Sequence, residues 1–469
     1  MYSVAMKVLV TGGTGFIGSA LLEALASRGH ELRVLSRDPA PKLARLPASA
    51  TAMAWDPLAG PPPSEAIEGV DAVVNLAGEQ VNGRWTDSKK QAIRESRVLT
   101  TRHLVDGIGS AGAPGARRPS VLVSASAIGF YGDRGDEELG EESAAGSGFL
   151  SSVCQQWEKE ASRAESLGLT VARVRLGIVL GRGGGAYPRL ARLFRLGLGG
   201  PVGSGRQWWS WIHLDDAIGF LIHVLEHRLG GAFNVSAPEP VRQRELADAL
   251  GKALGRPALL PAPAFALRRT LGGFSVELLA SRRVLPARAK GVGYRFRFPS
   301  LEPALRDLAG TTLVRIERQP DGTFRLTTEL LVARGIEEVF EFFSDAHNLE
   351  IITPPELRLQ VLTPRPIGMG LGTRIPYRFR MRGVPARWES EITAWEPPQR
   401  FMDTQRRGPF RHWVHTHEFF RQDGGTVARD HVHYSVPGGR VLHELFVSED
   451  LRRLFLYRRT QLAKIFGKA

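Results

Sequence analysis

At 469 residues, with 43% hydrophobic and 23% charged side chains, the chain is long enough for two or three domains and too average in composition to be fibrous or extensively disordered. Its one cysteine, Cys154, excludes an intramolecular disulfide and any cysteine-rich metal cluster, which predicts a reducing, cytoplasmic compartment. The formal charge of +14 is spread over both halves and forms no tail, so no nucleic-acid partner is expected; no apolar run is long enough to span a bilayer, and no signal peptide precedes the first strand.

The first half alternates short apolar runs with helical spacing, the signature of βαβ units and a doubly wound parallel α/β sheet. Strands are predicted over Lys7–Thr11, Glu31–Ser36, Asp71–Leu76, Ser120–Ser124 and Leu169–Arg175. Helices are predicted over Phe16–Ser27 and Asp87–Ile108, with Gly29 and Gly109 as their stops. Between the first strand and the first helix runs Thr11-Gly12-Gly13-Thr14-Gly15-Phe16-Ile17-Gly18, in the context that a dinucleotide fingerprint requires. Gly12 permits the tight turn, Gly15 lets the backbone approach a pyrophosphate and Gly18 allows close helix packing. Thr14, Phe16 and Ile17 belong to the turn and to the helix start whose N–H groups face the anion. The second strand ends Ser36-Arg37, close to where NAD-binding proteins carry a carboxylate for the ribose 2′-hydroxyl. A guanidinium there suits a 2′-phosphate, so NADP is the expected coenzyme; a surface arginine without contacts is the alternative.

From about residue 240 the pattern loosens into a lobe: a helix over Arg242–Leu254, a proline-rich run through Pro257, Pro261 and Pro263, the stretch Phe265–Leu285, and a closing helix near Leu301–Leu308. Such a lobe would cover the carboxyl edge of the sheet and supply substrate contacts. Residues 1–309 therefore read as one coenzyme-binding domain, 310–322 as a linker with a turn at Pro320-Asp321-Gly322, and 323–469 as a second, α+β domain. The second domain alternates with period two over Phe324–Ala333, Glu356–Thr363, Thr373–Met381, Arg387–Trp395, Phe401–Gln405, His412–Arg421 and Thr426–Ser435. A helix is predicted over Ile336–Phe343, and a long one over about Gly439–Phe466 ends the pattern. One antiparallel sheet holding a long terminal helix is the economical arrangement. His415 with His417, and His431 with His433, lie two apart on successive strands, so four imidazoles could meet on one face if the register allowed. No acidic ligand is obviously associated with them, and histidines on a sheet face without metal are the expectation.

Together, TGGTGFIG, Asn75-Leu76-Ala77-Gly78, Ser124-Ala125-Ser126 before Tyr131-Gly132-Asp133, and Trp211-Ile212-His213-Leu214-Asp215-Asp216 resemble the extended short-chain dehydrogenase/reductases over roughly residues 6–309. RWTDSKKQAIRESR, SASAIGFYG and RLGIVLG resemble one atypical subgroup, catalogued as nucleoside-diphosphate-sugar epimerases. The resemblance implies that Asn75, Leu76, Ala77 and Gly78 lie beside the adenosine and ribose, that Leu176 and Gly177 lie near the nicotinamide, and that Ser126 orients a carbonyl. It also implies a Tyr-x-x-x-Lys pair, which is missing: those positions hold Leu150 and Cys154. Tyr131 is the candidate surrogate acid, with a structural role as its alternative; Glu79 is a candidate base or a solvated carboxylate. Cys154 reads as a packing thiol, Asp215 or Asp216 as a helix cap, and Trp208, Trp209 and Trp211 as pocket walls or core. From about 323 onward FFSDAHNLEIITPP, PIGMGLGTRIPYRFRMRG, RWESEITAWEPPQRF and the long final helix resemble the helix-grip superfamily of START lipid-transfer, polyketide-cyclase and pollen-allergen proteins, which implies an apolar small-molecule ligand.

Two functions follow. One is an NADP-dependent oxidoreductase or epimerase-like enzyme acting on a small substrate that bears a carbonyl or hydroxyl, with Ser126 and Tyr131 as catalytic candidates. The other is a non-catalytic NADPH-binding sensor coupled to a carrier of an apolar molecule.

Overall fold

The computed structural model describes residues 5–39, 46–111, 118–311 and 313–467. The chain divides into two compact units, the first ending at Leu308 and the second starting at Ala309.

Among the described residues the first unit is built on a seven-stranded parallel sheet: β1 (Lys7–Thr11), β2 (Glu31–Ser36), β3 (Ala50–Ala54), β4 (Ala72–Asn75), β5 (Val121–Ala127), β6 (Thr170–Leu176) and β7 (Gly231–Val235). Their spatial order is β7-β6-β5-β4-β1-β2-β3, so the winding reverses between β1 and β4. Helices cover both faces, and for that reason the inner strands read as nearly unbroken apolar runs. Helix α1 (Phe16–Ala26) sends Leu21, Leu22 and Leu25 into one core layer. Helix α2 (Asp87–Ser110) sends Leu104, Val105 and Ile108 into the other, where α3 (Phe149–Ser162) adds Ala161. Helix α4 (Leu214–Glu226) joins α1 on the first layer through Phe220 and Leu221.

Two edge strands were not expected from the sequence. β3, Ala-Thr-Ala-Met-Ala, is half exposed, and β7 opens on a glycine and carries Asn234, so neither shows a clear apolar period. Gly109 does not stop α2, which runs on to Ser110; one glycine weakens a helix by about 1 kcal/mol and need not end it. The expected cap of α4 is also corrected. Leu214 is already helical, so Asp215 and Asp216 fall in the first turn and His213 caps instead, its Nδ1 accepting from the Asp215 N–H at 3.1 Å. Asp216 fastens the lobe, accepting from the backbone N–H groups of Arg297 (2.7 Å) and Phe298 (2.9 Å).

The second unit is one antiparallel sheet in the order β8-β9-β15-β14-β13-β12-β11-β10, where β8 is Val314–Arg318, β9 Phe324–Val332, β10 Gln360–Val361, β11 Arg374–Met381, β12 Val384–Glu396, β13 Arg400–Arg407, β14 His412–Gln422 and β15 Gly425–Ser435. The segment read as a linker therefore carries an edge strand, β8. The strand expected over Glu356–Thr363 shrinks to β10, because Pro354 and Pro355 have no N–H to donate and favour the tight turn Pro355–Leu357. Helix α5 (Ile336–Ser344) and the long α6 (Ser448–Phe466) pack on the sheet, α6 through Leu451, Phe455, Leu462 and Phe466. Sheet and long helix form a helix-grip arrangement around a cavity of about 370 Å³. Among the described residues no helix is long and apolar enough to cross a membrane.

Candidate functional site

The glycine-rich turn leaves the carboxyl end of β1 beside the point where the sheet reverses, the position at which open α/β sheets bind ligands. Gly12 has φ +70°, and a Cβ there would lie 2.6 Å from the Leu76 carbonyl; a Cβ on Gly18 would lie 2.2 Å from the Gly12 carbonyl oxygen. Both glycines are thus required by backbone approaching backbone. Gly15 precedes the first helical residue, and an added Cβ there would meet only the Gly12 oxygen at 3.2 Å. The space outside Gly15 and the exposed Thr14 is open, as a pyrophosphate lying on the helix N terminus requires. Phe16 turns its ring onto Gly181, Gly184 and Gly185, while Ile17 packs into the core. Ser36 is buried at the end of β2 and Arg37 beyond it is exposed.

Asn75 is fully buried, and its amide is engaged within the protein. Oδ1 accepts from Thr11 Oγ1 at 2.7 Å and Nδ2 donates to Thr101 Oγ1 at 2.8 Å, joining β1, β4 and α2. It thereby fixes the Leu76-Ala77-Gly78 backbone against Gly12. On the other side of the sheet's centre, Gly177 follows Leu176 and donates its N–H to Val235 at 3.0 Å; a Cβ on Gly177 would meet the Ser210 carbonyl at 2.9 Å.

Ser126 and Tyr131 belong to one buried network. Ser126 is 2% exposed and its Oγ donates to Glu158 Oε1 at 2.7 Å. Glu158 receives Arg175 through Nε and Nη2, both at 2.8 Å, and Arg175 Nη1 donates to the Tyr131 hydroxyl, also at 2.8 Å. The Tyr131 hydroxyl lies 2.7 Å from Asn234 Oδ1. Burial raises the Tyr131 pKa above its ordinary value, against the pull of Arg175. Burial opposes the charge on Arg175, but the pair with Glu158 outweighs it and raises its pKa. Neither Glu158 nor Arg175 stands out as a site residue in the sequence, because the contact between them joins a helix and a strand that only the fold brings together.

The two positions of the missing Tyr-x-x-x-Lys pair are packed. Leu150 and Cys154 lie against Gly129, and burial, then the nearby Glu158, pushes the Cys154 thiol up to about 11. A cation from elsewhere in the chain stands close by. The Arg97 guanidinium lies 3.2 Å from where a Cβ on Gly78 would be and 5.3 Å from the Trp157 ring centre, and burial lowers its pKa, with Cys154 and Glu79 acting in its favour. The Arg-Glu-Ser-Arg end of the RWTDSKKQAIRESR stretch was the available signal for it. Glu79 is paired with Lys89 at 2.5 Å. Trp209 and Trp211 are buried, and Trp208 stands between Arg242 and Arg283 in the lobe.

In the second unit the register separates the four histidines. His415 faces Val432 and His417 faces Asp430, so His415, His417, Asp430 and the cross-strand Asp403 share one face of the sheet, where Asp403, His415 and His417 line the cavity. His431 and His433 point the other way, to Thr327 and Thr323. The four-imidazole arrangement is excluded by this register.

Residues 8–236 match the family model described as NAD dependent epimerase/dehydratase family, and residues 262–308 match a domain of unknown function, DUF1731. The chain is 39% identical over 309 residues to a chloroplastic SDR39U1 homolog of the epimerase family from Arabidopsis thaliana, covering 64% of this chain and 86% of that protein. It is 38% identical over 309 residues to epimerase family protein SDR39U1 of Homo sapiens, covering 65% of this chain and 99% of that protein. The crystal structure of human SDR39U1 (isoform 2) with NADPH matches it with a TM-score of 0.57 at 37% identity, over 65% of this chain and 99% of that one.

Proposed function

The chain belongs to the NAD dependent epimerase/dehydratase family, and from that premise we propose that it is an NADP(H)-binding oxidoreductase or epimerase-like enzyme whose second unit takes an apolar small molecule. The observation that carries the reading is the cradle that Gly12, Gly18 and Leu76 form at the sheet's reversal, with Arg37 at the end of the neighbouring strand. Gly12, Thr14, Gly15, Phe16 and Ile17 hold the pyrophosphate; Ser36 and Arg37 take the 2′-phosphate. Asn75, Leu76, Ala77 and Gly78 line the adenosine side, and Leu176 and Gly177 the nicotinamide side. When bound, NADP(H) gives or takes a hydride at the substrate carbon.

An ionised Glu158 can only accept, so the Ser126 proton points to it and Ser126 offers the substrate a lone pair. That suits a hydroxyl-bearing substrate; a carbonyl is polarised once the Ser126 O–H turns away from Glu158. Tyr131, buried with its hydroxyl committed to Arg175 and Asn234, serves as an anchor of this network. Arg97 provides the positive charge that the Cys154 position lacks and positions the coenzyme beside Gly78. The cavity of the second unit, walled by Leu349, Ile375, Phe379, Trp388 and Leu454, is the place for the apolar molecule.

The coenzyme assignment is tested by titration. Arg37→Ala is expected to weaken NADPH binding by about 10- to 100-fold, the value of charged hydrogen bonds to a phosphate, and to leave NADH binding nearly unchanged. Equal losses for both coenzymes would sink it. The catalytic assignment is tested by following NADPH absorbance with a panel of carbonyl compounds. Turnover is expected to fall by about 100-fold in Ser126→Ala, and in Arg97→Met with recovery in Arg97→Lys. A second reading, a coenzyme-binding sensor, is favoured by the packing of Leu150 and Cys154 against Gly129; NADPH binding without turnover on any compound supports it.

A further inference from the structure

At the wall of the second unit's cavity, His415, His417 and Asp403 meet on adjacent strands, with Asp430 of the next strand beside the two rings. Asp403 Oδ1 accepts from Ser390 Oγ at 2.8 Å, which leaves Oδ2 directed at the histidines. Oδ2 lies 3.6 Å from His415 Nδ1 and 3.6 Å from His417 Nε2, too far for a hydrogen bond. The remaining nitrogen of each ring turns to the same oxygen of Asp430, His415 Nε2 at 3.1 Å and His417 Nδ1 at 2.8 Å. One carboxylate thus faces the two imidazoles across a gap, while the other holds the His415 ring by a hydrogen bond and lies close to His417 Nδ1 without one.

That division of labour is the arrangement of a metal site. Ligands bound at about 2.0–2.2 Å around a tetrahedral or octahedral ion lie roughly 3–3.5 Å apart, and carboxylates commonly hold the outer nitrogen of a ligating imidazole. A cluster held only by internal hydrogen bonds would have no reason to keep Asp403 Oδ2 short of both rings. The ligand atoms of Asp403, His415 and His417 all lie within 4.8 Å of one another. We propose that Asp403, His415 and His417 bind a first-row divalent transition-metal ion, with Asp430 as the carboxylate that orients the His415 imidazole and stands beside that of His417. Two nitrogens and one oxygen suit zinc, iron or cobalt better than magnesium or calcium, which prefer all-oxygen sets. All three ligands line the cavity, so the ion's open positions face whatever molecule enters it.

The test uses the full chain prepared without a histidine tag, stripped by a chelator and titrated with Co²⁺. One equivalent per chain with visible ligand-field absorption, displaced by Zn²⁺, is the expected result. His417→Gln and Asp403→Asn should abolish the absorption, and Asp430→Asn should keep the stoichiometry while weakening affinity by about 10- to 100-fold. The His431→Gln/His433→Gln variant should bind as the parent does. Absence of a saturable signal in the parent protein overturns the proposal, as does a signal that survives Asp403→Asn and disappears with His431 and His433. Near-ultraviolet circular dichroism reports whether each variant keeps its fold; if His417→Gln does not, the parent titration and Asp430→Asn decide. The titration reads metal alone, so its failure leaves the apolar-ligand and coenzyme assignments standing.

Discussion

Gly18→Ala is expected to weaken NADPH binding by at least about 100-fold, equivalent to about 2.7 kcal/mol. The added Cβ would lie 2.2 Å from the Gly12 carbonyl oxygen and 2.7 Å from the Gly13 Cα. Both are backbone atoms, so no side chain can swing aside and the start of α1 must move off the turn. The N–H groups proposed to face the pyrophosphate move with it. Gly12→Ala should behave alike for a different reason, since φ +70° and the Leu76 carbonyl at 2.6 Å combine strain with a clash. Gly15→Ala is the informative contrast. Its Cβ meets only the Gly12 oxygen, at 3.2 Å, so the fold should tolerate it while the side chain intrudes where the anion lies. Fluorescence titration with NADPH, read beside thermal melts, checks all three. Near-normal binding by Gly18→Ala would show that the turn is not where the coenzyme lies.

The second large effect is expected at the Glu158–Arg175 pair, whose side chains are 8% and 6% exposed. Removing one partner of a buried pair strands the other charge and costs about 3–5 kcal/mol. Arg175→Met and Glu158→Gln should each destabilise the first unit by that order. The double variant Glu158→Leu/Arg175→Met should recover most of the loss, because two apolar groups leave no buried charge behind. Ser126 would still lack its acceptor, while Tyr131 keeps Asn234, which holds back about 1–3 kcal/mol. Calorimetry of the full chain measures this, with the transition that NADPH raises identifying the first unit. A double variant no more stable than either single one would mean that the pair is not the keystone of the network.

Much of the first unit was legible because its signals are local. β1 and β2 carry their apolar residues in short runs, α1 repeats Leu21, Leu22 and Leu25 on one face, and a glycine turn between them has few other uses. β3 and β7 were not legible, since an edge strand buries too little to impose a pattern. Gly109 misled because one residue type was read as a stop without the carbonyl pairing that decides a helix end. Of the proposed coenzyme site, the glycines and Arg37 could be read where they stand. Arg97 could not, because α2 sits far from α3 in sequence and only packing brings its guanidinium to Trp157 and Cys154.

The histidines show the boundary most clearly. Alternation along β14 and β15 determined that His415 goes with His417 and His431 with His433, since side chains two apart on a strand share a face. Which pairs share a face with each other depends on register, and a shift by one residue reverses it. The register sets His417 against Asp430 and brings Asp403 opposite His415. By itself, then, the sequence determined the parallel sheet, the dinucleotide turn and the absence of the Tyr-x-x-x-Lys pair, all written in neighbouring residues. Only the tertiary structure decided that Ser126 gives its proton to Glu158 and that Asp403 meets two imidazoles in the cavity, because those contacts join residues the chain brings together only when folded.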